Sequence, residues 1–305
     1  MKLNTGFHKI KPSDFVIKGE NYMIIGYQGV EGSYSTVACK NFADGEDYES
    51  RGYLTFKLLV EALQNDEVDY IALPVENSTS GPITRTIDLM KYLEVEAISE
   101  VYVKIDHALI TKNPIELSEI TKVYSHPEAL EQCYTYLSQY PNIEVLEFQD
   151  TAGAVQMVKE SPDETIASIA GSHAANLYDM SVIRENISDN PLNTTRFLFF
   201  KNRNGLSSDF KDKSSLYIET DHSTGSLNEL LSIFKENDVN LVYLMSRPIQ
   251  NKPFSYGFFI DVESGIQETG LRNALDRITS KGAYVNVLGS FERGKIPSYD
   301  GIVEN

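Results

Sequence analysis

The chain has 305 residues, a formal net charge of −17 and an ordinary apolar content of 41%. This length predicts two or three domains, and the acidic balance argues against nucleic acid as a partner, because phosphate binding requires clustered Lys and Arg. No run of about 18 apolar residues occurs, so we expect neither a transmembrane helix nor a membrane partner. Residues 1–20 lack an apolar signal core, so we expect a short leader and not a secretory signal.

Cysteine usage and metal motifs give two further expectations. Cys39 and Cys133 are far apart and lie among apolar residues on helical patterns, which is typical of reduced, buried thiols in a cytosolic protein. The chain contains no C-x-x-C, no H-E-x-x-H and no tight Asp/Glu/His cluster. We therefore expect no metal.

The first part of the chain reads as strands alternating with helices. We predict strands at 23–27 and 68–74 and helices at 35–42 and 56–63. Gly81-Pro82 is expected to open a further helix, with proline in its first turn. Strand-loop-helix repetition favours a parallel sheet with ligands at the carboxyl ends of its strands.

A second unit of the same kind begins near Tyr102. Its predicted strands are 104–110, 123–124, 144–148 and 165–170. Its predicted helices follow Ser125 (with Leu130, Cys133, Tyr134 and Leu137 on one face) and cover 151–159 and 172–178. We expect two α/β lobes, with the segment Asn190–Phe197 crossing between them and a ligand cleft at the crossing.

After a polar linker, the last third of the chain predicts the order β-α-β-β-α-β. Strands are expected at 216–219, 240–245, 256–262 and 283–288. Leu227 and Leu271 begin two apolar helix faces, Ser226 and Glu229 form an expected capping box, and Gly282 stops the second helix. This is the ferredoxin-like split pattern.

Polar residues at the ends of predicted strands are candidate site residues. Thr195-Arg196 enters a buried strand, so the hydroxyl could serve a ligand and the arginine could clamp a carboxylate or form a scaffolding salt bridge. Asn77 and Ser78 could contact a ligand or cap a helix. Gly26-x-x-Gly29-x-x-Gly32 suggests a tight turn that could expose N–H groups to an anion.

The loop after Tyr124 leaves similar alternatives open. Ser125-x-x-Glu128 reads as a capping box, and His126 could act as an acid or base or be structural. Gln132 could face solvent or a ligand. Asp106-His107 reads as a strand pair that lines the second lobe.

The motifs in this order resemble the prephenate dehydratases. They are the run Gly29–Ser35, Pro74-Val75-Glu76-Asn77-Ser78 with Gly81, Tyr124-Ser125-His126-Pro127 with Gln132, Glu185-Asn186-Ile187, and Asn193-Thr194-Thr195-Arg196-Phe197. The last third resembles the ACT regulatory domain of those enzymes. The similarity runs from about residue 23 to 292.

The resemblance implies a cytoplasmic lyase of phenylalanine biosynthesis that uses no cofactor and forms a homodimer or homotetramer. Its fold would be a two-lobed, periplasmic-binding-protein-like α/β catalytic domain followed by an α+β ferredoxin-like ACT domain. The implied boundaries are a leader at 1–20, lobe 1 at 21–101 plus 193–203, lobe 2 at 102–192, a linker at 204–212, the ACT domain at 213–292 and a tail at 293–305.

The same resemblance implies the site residues. Thr195 would be catalytic, and the residues expected to bind prephenate are Asn77, Ser78, Ser125, Gln132, Arg196, Glu31 and Gly32. Feedback inhibition by L-phenylalanine would use Gly225, Ser226, Leu227, Asn240, Leu241, Met245, Ser246, Arg247 and Pro248.

Some positions depart from the family pattern. Met245 stands where the regulatory motif usually has glutamate, and Ser226 where it usually has alanine, which puts phenylalanine binding in question. Val30 replaces the usual proline and Glu128 the usual glutamine. Two alternatives remain: an arogenate dehydratase, which performs the same reaction on an aminated substrate, and a non-catalytic amino-acid sensor.

Overall fold

The computed structural model describes residues 22–203 and 211–297. The expected leader, most of the expected linker and the end of the expected tail lie outside these residues. The first lobe contains eight elements in chain order: β1 Met23–Gln28, α1 Tyr34–Ala43, β2 Tyr48–Tyr53, α2 Phe56–Gln64, β3 Tyr70–Asn77, β4 Gly81–Pro82, α3 Thr84–Met90 and β5 Val95–Lys104. No helix in the described part of the chain is long and apolar enough to cross a membrane.

The second lobe has its own five-stranded sheet in the order β10-β6-β9-β7-β8. Its elements are β6 His107–Thr111, β7 Lys122–Ser125, α4 Pro127–Glu131, α5 Tyr134–Leu137, β8 Glu144–Glu147, α6 Thr151–Glu160, β9 Ile166–Gly171, α7 Ser172–Tyr178 and β10 Ser181–Arg184. The chain then returns as β11, Thr194–Asn202, between β5 and β3 of the first sheet. The two-lobed α/β prediction with a crossing strand is therefore confirmed.

The C-terminal unit has the predicted β-α-β-β-α-β order. It contains β12 Lys213–Glu219, α8 Ser226–Glu236, β13 Leu241–Pro248, β14 Tyr256–Val262, α9 Thr269–Ser280 and β15 Tyr284–Phe291, with the strands arranged β13-β14-β12-β15. Both helices pack on one face of this sheet. Tyr217, Phe259 and Leu288 on the other face pack against the core of the first lobe. The C-terminal unit therefore contacts the lobe that carries β11.

Sheet direction differs from the sequence prediction. β1 pairs in parallel with β2 and β3, but β11 is antiparallel to both β3 and β5, so the large sheet is mixed. The expected strand 104–110 is wrong at its start, because Lys104 ends β5 and His107 begins β6 in the other sheet. The chain changes lobes between these two residues.

Two helix predictions also need correction. Gly81-Pro82 forms the short strand β4 against Glu76-Asn77, and the helix begins later, at Thr84. The helix after Ser125 divides into α4 and α5, and Tyr134 is 70% exposed instead of facing the core. Leu130, Cys133 and Leu137 are buried as expected, and both cysteines are free thiols.

Neither expected capping box forms. His126 is the N-cap of α4, and its side chain accepts a hydrogen bond from the Glu128 amide. Gly225 is the N-cap of α8 with a positive φ of 90°, while Glu229 forms an ion pair with Lys281. Glycine suits that left-handed conformation, since it has no Cβ.

Candidate active site

An open cleft with a cavity volume of about 210 Å³ lies between the two lobes. The first lobe contributes Tyr34, Asn77 and Thr195 to its lining, and the second contributes His107 and Gln132. The cleft is therefore built where β3 ends and β11 begins, beside the second lobe.

Strand alternation places Thr195 and Arg196 on opposite faces of the large sheet. Thr195 lines the cleft. Arg196 instead lines a separate cavity against the C-terminal unit, together with Tyr243 and Asp261. The neighbouring residues in sequence therefore have different surroundings, and the arginine is not directed into the cleft.

Asn77 sets the hydrogen-bond role of Thr195. The Asn77 Oδ1 accepts from the backbone amides of Thr79 and Ser80, both at 2.9 Å, and a backbone N–H can only donate. The Asn77 Nδ2 must therefore face Thr195, and it donates to Thr195 Oγ1 at 2.9 Å. No acceptor for the hydroxyl proton of Thr195 is recorded among the described residues, so this proton is available to a ligand in the cleft.

The same amide begins a hydrogen-bonded chain that joins the lobes. Asn77 Nδ2 also donates to Asn193 Oδ1 at 2.7 Å. Asn193 Nδ2 then donates to Gln132 Oε1 at 2.9 Å. Gln132 lines the cleft, and its Oε1 is occupied by Asn193, so its amide N–H groups are what it can offer to a ligand. The cleft thus offers uncharged donors, and the Glu128 and Asp150 side chains also line it.

Arg196 belongs to a buried charge cluster between the first lobe and the C-terminal unit. Its Nε donates to Glu100 Oε2 at 2.8 Å and its Nη1 pairs with Asp261. Lys213 Nζ lies 2.7 Å from the same Glu100 oxygen. All four side chains are at least nine-tenths buried. This geometry favours the scaffolding role for Arg196 over a carboxylate clamp.

Two of the expected substrate-binding serines make contacts within the protein. Ser125 is fully buried, and its Oγ donates to the Ile169 carbonyl at 2.6 Å, joining β7 to β9. Ser78 Oγ accepts from the Thr194 amide at 2.9 Å and lies 3.3 Å from the Leu192 carbonyl. Ser78 therefore holds the end of β3 beside the start of β11, and neither hydroxyl lines the cleft.

The expected substrate residues Glu31 and Gly32 lie at a contact between the lobes. The Glu31 carbonyl accepts from the Tyr178 hydroxyl at 2.9 Å. Gly32 has a φ of +86°, and a Cβ there would stand 3.2 Å from Leu177 and 3.3 Å from Tyr178. Glycine is needed at this position on both grounds. The loop therefore fits against α7 of the second lobe.

Most of the expected phenylalanine-binding residues occupy two stretches at one end of the C-terminal sheet. Gly225-Ser226-Leu227 begins α8 just after β12, and Ser246-Arg247-Pro248 ends β13. The strand registers place both at the same edge, separated by β14. Asn240 and Leu241 lie at the other end of β13, and Asn240 donates to Glu263.

Met245 and Ser226, the two positions that depart from the regulatory motif, make contacts within the protein. Met245 packs against the core shared with the first lobe, and the Tyr243 hydroxyl lies 3.3 Å from its sulfur. Arg247 forms an ion pair with Asp88 of α3. The Ser226 hydroxyl donates to the Ser223 carbonyl at 3.0 Å. Met245 and Arg247 therefore face the first lobe.

The sequence did not assign Tyr34 and His107, which line the cleft, or Asn193, which links Asn77 to Gln132. His107 is buried, its Nε2 lies 3.0 Å from Gln132 Oε1, and its Nδ1 lies 3.2 Å from the Tyr34 hydroxyl. Burial lowers the pKa of His107 and holds the pKa of Tyr34 well above its usual range. The Asp106-His107 pair inside the expected strand 104–110 was the available signal. It could not show that the strand is divided there between two different sheets.

A sequence model of the family described as prephenate dehydratase matches residues 25–205. The bifunctional chorismate mutase/prephenate dehydratase of Neisseria gonorrhoeae is 34% identical over 274 residues, covering 89% of this chain and 75% of that protein. The structure of a prephenate dehydratase from Arthrobacter aurescens with L-Phe superposes with a TM-score of 0.80 at 26% identity, covering 88% of this chain and 90% of that one. A structure described as a novel type of quorum-quenching acylase has a TM-score of 0.80 at 25% identity, with coverage of 88% and 97%.

Proposed function

The chain belongs to the prephenate dehydratase family, and from this premise we propose that its interlobe cleft converts prephenate to phenylpyruvate, CO₂ and water. The observation that carries the proposal is the Thr195 hydroxyl, which accepts from Asn77 and keeps its own proton free at the cleft. A hydroxyl donor is the group that a departing hydroxide requires.

The reaction needs little chemistry from the protein. The bond between the ring and its carboxylate breaks to release CO₂, its electron pair enters the ring, and the ring C–O bond breaks as aromaticity forms. The leaving oxygen takes one proton, whose net source is the solvent, and departs as water. Thr195 donates a hydrogen bond to that oxygen as charge develops on it, and orientation contributes more than acid strength because an unperturbed threonine is a poor acid.

We propose that Asn77 donates to the Thr195 hydroxyl and that Gln132 donates to the substrate. Asn77 polarises the Thr195 O–H by donating to its oxygen. Gln132 offers its amide N–H groups to a substrate oxygen. Ser78 keeps β3 beside β11, while Glu31 and Gly32 hold the lobes together, so these three support the cleft from outside the reacting groups.

Turnover of prephenate compared with arogenate tests the substrate. Phenylpyruvate absorbance follows the first reaction, and kcat/KM on each substrate decides the preference. We expect prephenate to be preferred. A higher kcat/KM on arogenate would assign the chain to the aminated substrate, and no turnover of either would favour the amino-acid sensor.

We also propose that L-phenylalanine binds the C-terminal unit, as an ACT domain, and inhibits turnover. The relative from Arthrobacter aurescens was solved with L-Phe, and the β-α-β-β-α-β unit carries the two expected stretches at one edge. Calorimetry should give a binding heat at millimolar phenylalanine. An absent heat would refute the regulatory site, and Met245→Glu would then test whether the methionine abolishes it.

The remaining proposals concern assembly and location. We propose a cytoplasmic homodimer or homotetramer with lobe 1 at 21–101 plus 193–203, lobe 2 at 102–192 and the ACT domain at 213–292. Light scattering on purified protein measures the mass directly, and a monomer at micromolar concentration would contradict the assembly.

The likeness to an acylase structure suggests a second assay but not a second proposal. Acyl transfer by a hydroxyl needs an adjacent base, whereas the recorded partner of Thr195 Oγ1 is the Asn77 amide. Among the described residues, no histidine or carboxylate of the cleft forms a hydrogen bond with Thr195 Oγ1.

A further inference from the structure

His107 ends the amide chain in the second lobe, and no role in the reaction has so far been given to it. Its main chain is held on both sides, because its amide donates to Ser188 Oγ at 3.1 Å and its carbonyl accepts from the Ile187 amide at 3.0 Å. The imidazole is buried and lines the cleft. The main chain of His107, at the start of β6, is therefore fixed to the segment 187–188.

The direction of the amide chain determines which nitrogen of His107 carries a proton. Backbone amides fix the orientation of Asn77, Asn77 fixes Asn193, and Asn193 fixes Gln132 with its Oε1 toward His107. An oxygen cannot donate, so the His107 Nε2 at 3.0 Å must carry a proton. This holds whether or not Nδ1 is also protonated.

The surroundings of the imidazole agree with this assignment. In the neutral Nε2–H form Nδ1 is an acceptor, and its donor is the Tyr34 hydroxyl at 3.2 Å, whose proton also has the Asp106 carbonyl at 2.8 Å as an acceptor. The Asp106 and Glu128 carboxylates act on the ring at longer range and favour its charged form, but burial outweighs them and lowers the pKa of His107. The neutral Nε2–H form therefore predominates at neutral pH.

We propose that His107 is a positioning residue for the dehydratase reaction: its Nε2–H holds the Gln132 carbonyl so that the Gln132 amide N–H groups point at the substrate. Gln132 Oε1 then accepts from two donors, one in each lobe, His107 and Asn193. With one donor removed, the Gln132 side chain can rotate away from the substrate. The role in catalysis rests on the proposed function, whereas the protonation state of the ring does not.

A double-mutant cycle on prephenate turnover tests the coupling of His107 to Gln132. His107→Leu should lower kcat/KM roughly tenfold, which corresponds to the loss of about one uncharged hydrogen bond. In a Gln132→Ala background the same change should cause no further loss. His107→Gln, which keeps an N–H donor near the position of Nε2, should remain within about threefold of the original protein.

The kinetic outcomes decide whether His107 positions Gln132. Losses that multiply in the double variant, or a His107→Gln variant as impaired as His107→Leu, would overturn the positioning role. The thermal transition of each variant shows whether it still folds. If His107→Leu unfolds, the kcat/KM of His107→Gln still tests the positioning role.

A second measurement does not depend on activity. Imidazole ¹⁵N–¹H correlation spectra at pH 7.5 should show the His107 proton on Nε2, with the signal assigned by its absence in His107→Gln. A proton on Nδ1 alone would overturn the inference. If the original protein fails to turn over prephenate, the proposed function fails, and the spectrum still decides the orientation of the chain.

Discussion

At the scale of single residues, the central feature is that Asn77 donates to the Thr195 oxygen. Two backbone amides hold the Asn77 Oδ1, so the donor role of its Nδ2 does not depend on the ligand. The active hydroxyl is thereby preorganised as a donor before substrate arrives, and electrostatic stabilisation is most effective when donors are fixed in advance.

Asn77→Asp should separate these two functions of the asparagine. The substitution keeps an oxygen for the Thr79 and Ser80 amides but replaces the donor that faces Thr195. We expect kcat to fall by about 10²–10³ and the thermal transition to fall as well, because the buried carboxylate also loses the donor bond to Asn193 Oδ1. A variant with unchanged kcat would show that the bond from Asn77 to Thr195 does not matter for turnover.

Buried histidines predict a dependence of stability on pH. Burial lowers the pKa values of His107 and His173 in the folded chain, whereas in the unfolded chain a histidine titrates near about 6.5. As pH falls below that value, the unfolded state binds protons that the folded state does not, so the free energy of unfolding decreases.

Urea unfolding between pH 8 and 5.5 measures this effect, with moderate salt to screen the net charge. His107→Gln removes one of the two groups and should reduce the slope between these pH values. An unchanged slope in the variant would contradict the assignment of His107 as a buried neutral imidazole.

At the scale of elements, β11 shows what the sequence can and cannot reveal. The apolar residues after Arg196 predict a buried strand, and Phe197, Leu198, Phe199 and Phe200 are all buried. The sequence could not show that Arg196 faces the C-terminal unit, because its partner Asp261 lies 65 residues later. Local patterns predicted the strand, and tertiary contacts decided the role of the arginine.

The strand β5 was largely missed for a related reason. Glu96 and Glu100 interrupt its apolar pattern, although both are buried in the folded protein. Glu96 pairs with Lys201, and Glu100 pairs with Arg196 and Lys213. The cations that make these buried carboxylates tolerable lie about a hundred residues away, so no local reading of the chain could include them. The helices with a regular apolar face, such as α2 and α9, were predicted correctly.

The contact between β7 and β9 gives a test of the expected substrate residue Ser125. Because its hydroxyl donates to the Ile169 carbonyl and is fully buried, Ser125→Ala should lower stability by about 1 kcal/mol and leave the KM for prephenate unchanged. Chemical denaturation and steady-state kinetics measure the two quantities. A raised KM with unaltered stability would restore Ser125 to the substrate site.

At the scale of the whole molecule, the buried charge cluster joins the first lobe to the C-terminal unit. Arg196 follows Thr195 directly on β11 and pairs with Asp261 of β14. The buried charge cluster therefore lies one residue along β11 from the Thr195 hydroxyl. Its four charges balance, two positive and two negative, which is the condition under which buried ions are tolerated.

Asp261→Asn should destabilise the whole chain by about 3–5 kcal/mol, because it leaves the Arg196 charge buried with one counter-charge fewer. Glu236→Gln is the matched control: its pair with Arg277 is about half exposed on both sides, so the loss should be about 0–1 kcal/mol. Urea unfolding compares the two. Equal effects would mean that the cluster does not stabilise the contact between the units.

Turnover of prephenate by the original protein and by Thr195→Ala tests the central claim most directly. The claim is that the cleft dehydrates prephenate with the Thr195 hydroxyl as the donor to the leaving oxygen. We expect phenylpyruvate to form with the original protein and kcat to fall by about 10²–10⁴ in Thr195→Ala, with Thr195→Ser retaining part of the activity and all three proteins folded. Near-normal turnover in folded Thr195→Ala would contradict the account.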